Sequence, residues 1–270
     1  MNQKLRFRTE INGRTATAEE LSPLAFAGFA HFTAMQVREG AVRGLEFHLE
    51  RLRSASIEFF GQALPDNLVR EHIRHAIKGA PSALSLTVTM FSRSGEFTSM
   101  GAADDPAILI RTAPPFEGPA GPLRLYSVQH ERPFPTIKHV GEASKTHYLR
   151  QAVKKGYDDA VFIDRHGRIS EATIWNIAFW DGKAVIWPEA ELLPGVTRRI
   201  IRRQLEALGI FQREEPISPD RVAEMQGAAV MNSWTPGVGV SALNTTPIPV
   251  SPTFTDILRK AYEWEPFIKI

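Results

Sequence analysis

A ten-residue segment near the middle of the chain, APPFEGPAGP, constrains the fold more than any other stretch. Four prolines and two glycines lie between Ala113 and Pro122. Proline fixes φ and removes a backbone donor, so no regular helix or strand can continue through this segment. A chain of 270 residues is also long for one domain. The sequence therefore predicts two domains, residues 1–112 and 123–270, joined by a linker at 113–122.

Both predicted domains mix helical and strand periods. Asn12-Gly13 predicts a hairpin turn near the start. Apolar spacing predicts helices at 46–58, 66–78, 143–155, 198–208 and 219–225. Apolar runs, some alternating, predict strands at 84–91, 107–112, 123–129, 160–164, 175–180, 184–187 and 227–231. Because these elements do not alternate regularly, the sequence predicts an α+β fold.

The composition excludes several classes of protein. Apolar residues make up 43% and charged residues 23% of the chain, as in folded globular proteins, and the net charge of +2 is too small to predict a nucleic-acid partner. The absence of cysteine excludes disulfides, thiolate metal sites and a cysteine nucleophile. The N-terminus has no apolar signal core, and no run of about 18 apolar residues occurs. We therefore expect a cytoplasmic protein with no membrane partner.

Well-known catalytic motifs are missing. The glycine-rich dinucleotide fingerprint, the phosphate-binding P-loop, the serine nucleophile elbow and the His-Glu-x-x-His zinc motif do not occur. His72 and His75 stand three residues apart, but no third ligand is spaced with them, so no metal site is predicted. Any chemistry must come from polar residues that are scattered along the chain.

Four features could carry that chemistry, and each has a plain structural alternative. Lys138 in TIKHVG could be a solvated loop lysine, and Glu171 in GRISEATIWN could be a surface acid. The segment LPGVTRR offers free N–H groups for a phosphate, but it also reads as an ordinary helix start. Arg51 in HLERLRSAS could bind a phosphate or belong to a charged helix face. Singly, these features decide nothing.

Together, their order and spacing resemble those of the fold type IV pyridoxal-phosphate enzymes, the class IV aminotransferases. Residues 156–201 are similar to the family pattern of an apolar strand, an Asp-x-x-Gly turn, Ser/Thr-Glu, an asparagine-led strand, an Asp-Gly hairpin and Leu-Pro-Gly-Ile/Val-Thr-Arg. FTAMQVREG followed by HLERLRSAS resembles the N-terminal family segment. The resemblance covers nearly the whole chain and implies a two-domain fold with the cofactor between the domains.

The resemblance also implies roles for individual residues. Lys138 would form the Schiff base with pyridoxal 5′-phosphate, and Glu171 would pair with the pyridine nitrogen. The cofactor phosphate would be bound by Arg51, Val196, Thr197 and Ser233. No substrate-binding residue is identified, although Arg38, Thr33 and Trp234 are candidates. Branched-chain members carry a tyrosine after the lysine, where Glu142 and Ala143 stand here.

The implied activity is transfer of an amino group between an amino acid and a 2-oxo acid by a homodimer. One alternative is a 4-amino-4-deoxychorismate lyase that releases pyruvate, because FTAMQV and NSWTPGVGV look more like lyase members. Another is a binding protein without cofactor, which the joint presence of Lys138, Glu171 and Arg51 opposes. Lys145 is the rival for the catalytic lysine, and we expect it to be a partly covered helix residue whose ammonium reaches solvent.

Overall fold

A computed structural model describes residues 7–26, 28–93 and 106–270. The chain divides into two compact units. The first contains the described residues up to Phe116 together with Ile137–Glu142 and Phe267–Ile270, and the second contains Glu117–Thr136 and Ala143–Pro266. The sequence places both returning segments within residues 123–270. The structure groups them with the first unit because each adds backbone pairing to its sheet.

The first unit is built on one antiparallel sheet. Its strands are β1 (Thr9–Ile11), β2 (Arg14–Thr15), β3 (Ala30–Arg38), β4 (Ala41–Arg43), β5 (Ala83–Phe91), β6 (Ala107–Ala113) and β16 (Phe267–Lys269). They lie in the order β16-β4-β3-β5-β6-β1-β2. Asn12 and Gly13 have φ values of 49° and 79°, the left-handed pair that a two-residue hairpin requires. The predicted turn is confirmed.

Three helices belong to the first unit: α1 (Ala18–Phe26), α2 (Leu45–Phe60) and α3 (Asp66–Ile77). Leu49 and Leu52 of α2 and Ile73 of α3 are buried with Leu86 and Val88 of the sheet in one apolar core. Helical spacing put these residues on one face, so the two predicted helices are confirmed. The sequence analysis missed α1, which is short and contains a proline.

The strands of the second unit are β7 (Leu123–Gln129), β8 (Asp159–Ile163), β9 (Ile169–Ala172), β10 (Asn176–Trp180), β11 (Val185–Pro188), β12 (Gln212–Glu215), β13 (Gly227–Met231), β14 (Val238–Leu243) and β15 (Thr246–Pro247). Strand β9 pairs with both β8 and β10. The path β10-β13-β14-β7-β8-β9 therefore returns to β10 and closes a ring. Closure pairs the edge of β9 with β10, so that edge of β9 is not free.

The helices of the second unit are α4 (Ala143–Lys154), α5 (Val196–Ala207) and α6 (Pro252–Trp264). The helix predicted at 219–225 is instead a 3₁₀ segment, Asp220–Glu224, because the chain becomes extended at Met225 after only five helical residues. Leu125, Val161 and Val230 are buried together in one apolar core. Leu205 and Leu258 bring α5 and α6 into another.

The mixture of helices and sheets confirms the predicted α+β class. Among the residues that the structure describes, no helix has the length and apolar character needed to cross a membrane.

Candidate active site

Glu171 lies in a fully buried strand and faces an arginine. All four residues of β9 are buried, and Glu171 is 3% exposed. Arg132 Nη1 lies 3.2 Å from Glu171 Oε1, and both side chains are buried. The sequence analysis did not name Arg132, because the segment around it shows no regular apolar period. A buried carboxylate is tolerated when it is paired in this way.

Asn176 lies directly opposite Glu171. The two residues are register partners at the start of β10, which places their side chains on the same face of the sheet. Asn176 Nδ2 donates to the carbonyl of Leu193 at 2.8 Å. A Cβ added to Gly195 would overlap Asn176 Oδ1. The loop before α5 therefore lies against the strand pair that carries Glu171.

The N-terminus of α5 has the features of an anion site. Its first intrahelical bond joins the N–H of Arg199 to the carbonyl of Gly195, so the N–H groups of Val196 and Thr197 precede the helical ladder. The first turn contains no acidic residue. Free N–H groups and the positive end of the helix dipole favour a phosphate at this position. Val196 and Thr197, which the sequence analysis expects to bind phosphate, are both buried.

The turn that carries Ser233 adjoins this helix start. Thr197 Oγ1 donates to the carbonyl of Asn232 at 2.8 Å. Asn232 also accepts through Oδ1 from the N–H of Trp234 and donates its own N–H to the carbonyl of Thr235. Thr197, Val196 and Ser233, three of the predicted phosphate ligands, are thus brought together in the second unit.

Arg198 is a buried cation in the first turn of α5. Its Nη2 lies 2.6 Å from Glu214 Oε1, and its Nε has no hydrogen-bond partner. Burial lowers the pKa of Arg198, and the charge of Arg202 acts in the same direction, while Glu214 and Glu171 act against it. The sequence analysis did not single out Arg198, although it follows Thr197 directly.

Lys138 lies in the first unit, on an extended segment that continues its sheet. The N–H of Phe32 donates to the carbonyl of Lys138 at 2.8 Å, and the N–H of Val140 donates to the carbonyl of Ala30 at 2.7 Å. Strand β4 pairs with β3 only at Arg38, so this side of the start of β3 is open to the Lys138 segment. The amine is half-buried, with Nζ 4.9 Å from the centre of the Phe32 ring. The segment is not a regular strand, but its backbone is held by hydrogen bonds to β3.

Two buried histidines, His31 and His139, lie beside Lys138. His31 and His139 are antiparallel bridge partners, and both are buried. His31 Nε2 lies 2.9 Å from Ser56 Oγ on α2. Burial lowers the pKa of His31 to about 3, so the ring is neutral at pH 7. The residue bridged to His139, next to Lys138, is therefore a buried, neutral histidine.

Arg51 is half-buried on α2, one turn after His48. Thr33 Oγ1 lies 2.6 Å from His48 Nδ1, and both residues are buried. Burial, reinforced by the charge of Arg51, lowers the pKa of His48 to about 3. Arg51 and Lys138 thus belong to the first unit, whereas Glu171, Val196, Thr197 and Ser233 belong to the second.

The three substrate candidates lie in different settings. Thr33 is fully buried and bonded to His48. Arg38 donates to the carbonyl of Val37. Trp234 is 37% exposed on the turn next to Ser233, and its ring packs edge to face against Trp175, with centroids 6.4 Å apart. Thr33 follows Phe32, which contacts Lys138, and Trp234 follows Ser233, so both adjoin residues predicted to bind the cofactor.

Lys145, the rival lysine, is more deeply covered than predicted. It lies in the first turn of α4 in the second unit and is 9% exposed. Its charge favours ionisation of Asp159, whose pKa is nevertheless raised by burial. Asp159 also accepts from Thr173 Oγ1 at 2.6 Å and Trp175 Nε1 at 2.9 Å. Lys145 therefore compensates a buried carboxylate.

A family model described as amino-transferase class IV matches residues 30–243. The chain is 26% identical over 231 residues to a probable branched-chain-amino-acid aminotransferase of Rickettsia bellii, a match that covers 79% of each chain. It superposes on the branched-chain amino acid aminotransferase of Escherichia coli with a TM-score of 0.83, at 18% identity, over 98% of this chain and 99% of the other. A structure assigned as a 4-amino-4-deoxychorismate lyase from Legionella pneumophila gives a TM-score of 0.77 at 19% identity, over 90% and 92% of the two chains.

Proposed function

The chain belongs to the class IV aminotransferases, which are pyridoxal-phosphate enzymes, and we propose that it uses Lys138 and Glu171 to move an amino group between an amino acid and a 2-oxo acid. When bound, the cofactor supplies a ring that accepts the electrons released at the substrate Cα. The residues described above fit this group: an amine, a carboxylate and a helix start open to an anion.

The N-terminal turn of α5 would hold the phosphate. The N–H groups of Val196 and Thr197 precede the helical ladder, and Ser233 lies on the adjoining turn. Because the hydroxyl of Thr197 already donates to Asn232, we assign the phosphate contact of Thr197 to its N–H group. Arg51 would add a charged donor from the first unit.

Glu171 would face the pyridine nitrogen. A carboxylate at this position holds a proton on that nitrogen and so increases the ability of the ring to accept electrons. Arg132 compensates the carboxylate in its buried position, at 3.2 Å. This buried pair, in the same unit as the anion-binding start of α5, is the observation that carries the proposal.

Lys138 would hold the cofactor covalently and then move a proton between the substrate Cα and the cofactor. Its backbone is fixed by hydrogen bonds to β3, and its Nζ lies 4.9 Å from the centre of the Phe32 ring. Because these backbone bonds do not involve the amine, the side chain can change its contacts while the segment that carries it stays in place.

The proposal is tested by following the two half-reactions separately. The purified protein is loaded with pyridoxal 5′-phosphate, and L- and D-amino acids are added one at a time. Loss of the visible absorbance of the bound cofactor, and its return when a 2-oxo acid is added, is the expected result. The active donors identify the substrate class and its stereochemistry. Loaded protein that responds to no donor would contradict the proposal.

A lyase is the second candidate function. The sequences FTAMQV and NSWTPGVGV favour it, and a structure assigned as a lyase is among those with this fold. Pyruvate release from 4-amino-4-deoxychorismate without either half-reaction would establish the lyase instead. A binding protein without cofactor would show no visible absorbance after loading.

We also propose that the enzyme is a cytoplasmic homodimer, since closed dimers are the commonest oligomers and nothing in the composition requires an oxidising compartment. Sedimentation of the loaded protein should give twice the chain mass of 30.1 kDa. A fully active monomer at low concentration would contradict the dimer.

A further inference from the structure

Asn176 occupies the position where the ring of strands in the second unit closes. Strands β9 and β10 are joined by a single register pair, Asn176 opposite Glu171. Asn176 is buried, so its amide must find partners inside the protein. Because Asn176 is the register partner of Glu171, those partners lie near the carboxylate that we assign to the cofactor nitrogen.

The partners of Asn176 lie in the loop before α5. Its Nδ2 donates to the carbonyl of Leu193 at 2.8 Å. Its Oδ1 fills the space where a side chain at residue 195 would begin, which requires glycine there. One side chain therefore contacts both ends of the segment 193–195, which leads directly into Val196.

These contacts connect the strand pair that carries Glu171 with the loop that leads into α5. Glu171 is fixed in β9, and the phosphate-binding N–H groups belong to the start of α5. A cofactor whose ring nitrogen and phosphate are both bound requires a fixed spacing between these groups. A displacement of about 1 Å in such a site can cost on the order of a hundredfold in rate.

We propose that Asn176 is a positioning residue that sets the spacing between Glu171 and the phosphate-binding start of α5. The inference rests on the proposed function, because it assumes that both groups serve one cofactor. It assigns to Asn176 no contact with substrate or cofactor. The proposed role also requires glycine at position 195, because any side chain there would overlap Asn176 Oδ1.

The experiment compares binding of pyridoxal 5′-phosphate and of pyridoxal, which lacks the phosphate. Both aldehydes can react with Lys138, so the ratio of their dissociation constants isolates the phosphate contribution. We expect the dissociation constant of pyridoxal divided by that of pyridoxal 5′-phosphate to be at least tenfold smaller in Asn176→Ala than in the wild-type protein. Asn176→Ser keeps a small polar side chain and is measured as well, so that a folded variant is available.

Asn244→Ala is the matched control. Asn244 also uses its side chain to hold backbone in the second unit, since Oδ1 accepts from the N–H of Ser127 at 2.9 Å and Nδ2 donates to Ser127 Oγ at 2.8 Å. Its loss should lower stability without changing the cofactor ratio. A comparable fall in the ratio of this control would show that general loosening, not positioning, is measured.

Gly195→Ala tests the contact from the other side. Because Asn176 and Gly195 act through one contact, the effects of Asn176→Ala and Gly195→Ala on the ratio should not add in the double variant. Full additivity, or an unchanged ratio in folded Asn176 variants, would overturn the inference. A wild-type protein that does not prefer pyridoxal 5′-phosphate over pyridoxal would instead overturn the phosphate site, and with it the proposed function.

Discussion

The two units hold the residues predicted for the site in different ways. In the second unit, charged and polar side chains fix one another: Arg132 pairs with Glu171, Asn176 bonds the loop at Leu193, and Thr197 bonds the turn at Asn232. In the first unit, Lys138 is fixed through its backbone, and the ring of Phe32 lies 4.9 Å from its amine.

This difference matches the roles proposed for the two sets of residues. A phosphate and a ring nitrogen keep their charge pattern throughout transamination, so groups that bind them gain from rigid preorganisation. In the proposed reaction Lys138 exchanges its covalent partner and carries a proton, which requires its side chain to move while its backbone stays fixed. The four predictions below test this contrast.

The largest effect is expected for Lys138→Ala. Removal of the amine should slow transamination by on the order of 10³-fold or more, since covalent attachment and proton transfer are lost together. The fold should remain, because the segment is fixed by backbone bonds to Phe32 and Ala30. Half-reaction rates and denaturation curves measure the two effects.

Lys145→Ala is the control for this prediction. It should be less stable, because the buried carboxylate of Asp159 loses the favourable interaction with the Lys145 charge. The folded fraction should retain most of its activity. Borohydride reduction and peptide mapping should place the cofactor on Lys138. A label on Lys145 would shift the alignment of the whole segment and refute the site.

Glu171→Gln should still bind the cofactor but lose about a hundredfold in turnover, because an amide cannot hold the proton on the ring nitrogen. It should also be less stable by about 3–5 kcal/mol, since Arg132 remains buried without its carboxylate. Turnover per bound cofactor and urea denaturation separate these effects.

Glu265→Gln provides a matched change in the same unit, because Glu265 is also buried and pairs with Arg203. This variant should lose stability and keep its turnover. Wild-type turnover in Glu171→Gln would remove Glu171 from the mechanism.

Acid should destabilise the first unit before the second. The pKa values of His31 and His48 fall to about 3 in the folded state, while the unfolded chain takes up protons near pH 6.5. Below pH 6.5 the unfolded state therefore binds more protons, and the free energy of unfolding decreases by on the order of 2 kcal/mol per histidine down to pH 5.

Burial raises the pKa of Asp159 in the second unit, and a raised carboxyl pKa has the opposite sign, because its cost is relieved as pH falls. Hydrogen exchange between pH 7 and 5 should show earlier loss of protection in β3 and α2 than in β8. In His31→Asn the pH dependence should be smaller. Equal loss of protection in both units would contradict the contrast.

The smallest effect is expected for Thr197→Val. The variant loses one hydrogen bond, to the carbonyl of Asn232, which costs about 1 kcal/mol and a few-fold in cofactor affinity. Thr197→Ser should retain most of both. A loss of a hundredfold in affinity for Thr197→Val alone would mean that the hydroxyl, and not only the N–H, binds the phosphate.

Local sequence predicted the regular elements well and the contacts of the site less well. Strict alternation in β5 and helical spacing in α2 and α3 are properties of adjacent residues, so they could be read directly. The Lys138 segment has no period, and its pairing with Ala30 and Phe32 depends on residues about a hundred positions away.

Arg132 and Asn176 were missed for the same reason. Arg132 follows β7, and its pairing with Glu171 arises only when β7, β8 and β9 assemble, so no spacing along the chain encodes it. The resemblance to the family supplied the positions of Glu171, Val196 and Thr197, since it carries information about distant contacts that periodicity lacks. Their roles stay predictions until the variants are measured.

The return of Phe267–Ile270 to the first unit has a consequence for synthesis on the ribosome. Strand β16 pairs with β4, and the ammonium of Lys269 donates to the carbonyl of Glu39, 230 residues earlier. A nascent chain therefore exposes the β4 edge until Phe267–Ile270 has emerged, long after the rest of that sheet is available. Exposed strand edges can pair with other chains, so we expect aggregation and chaperone binding in this interval.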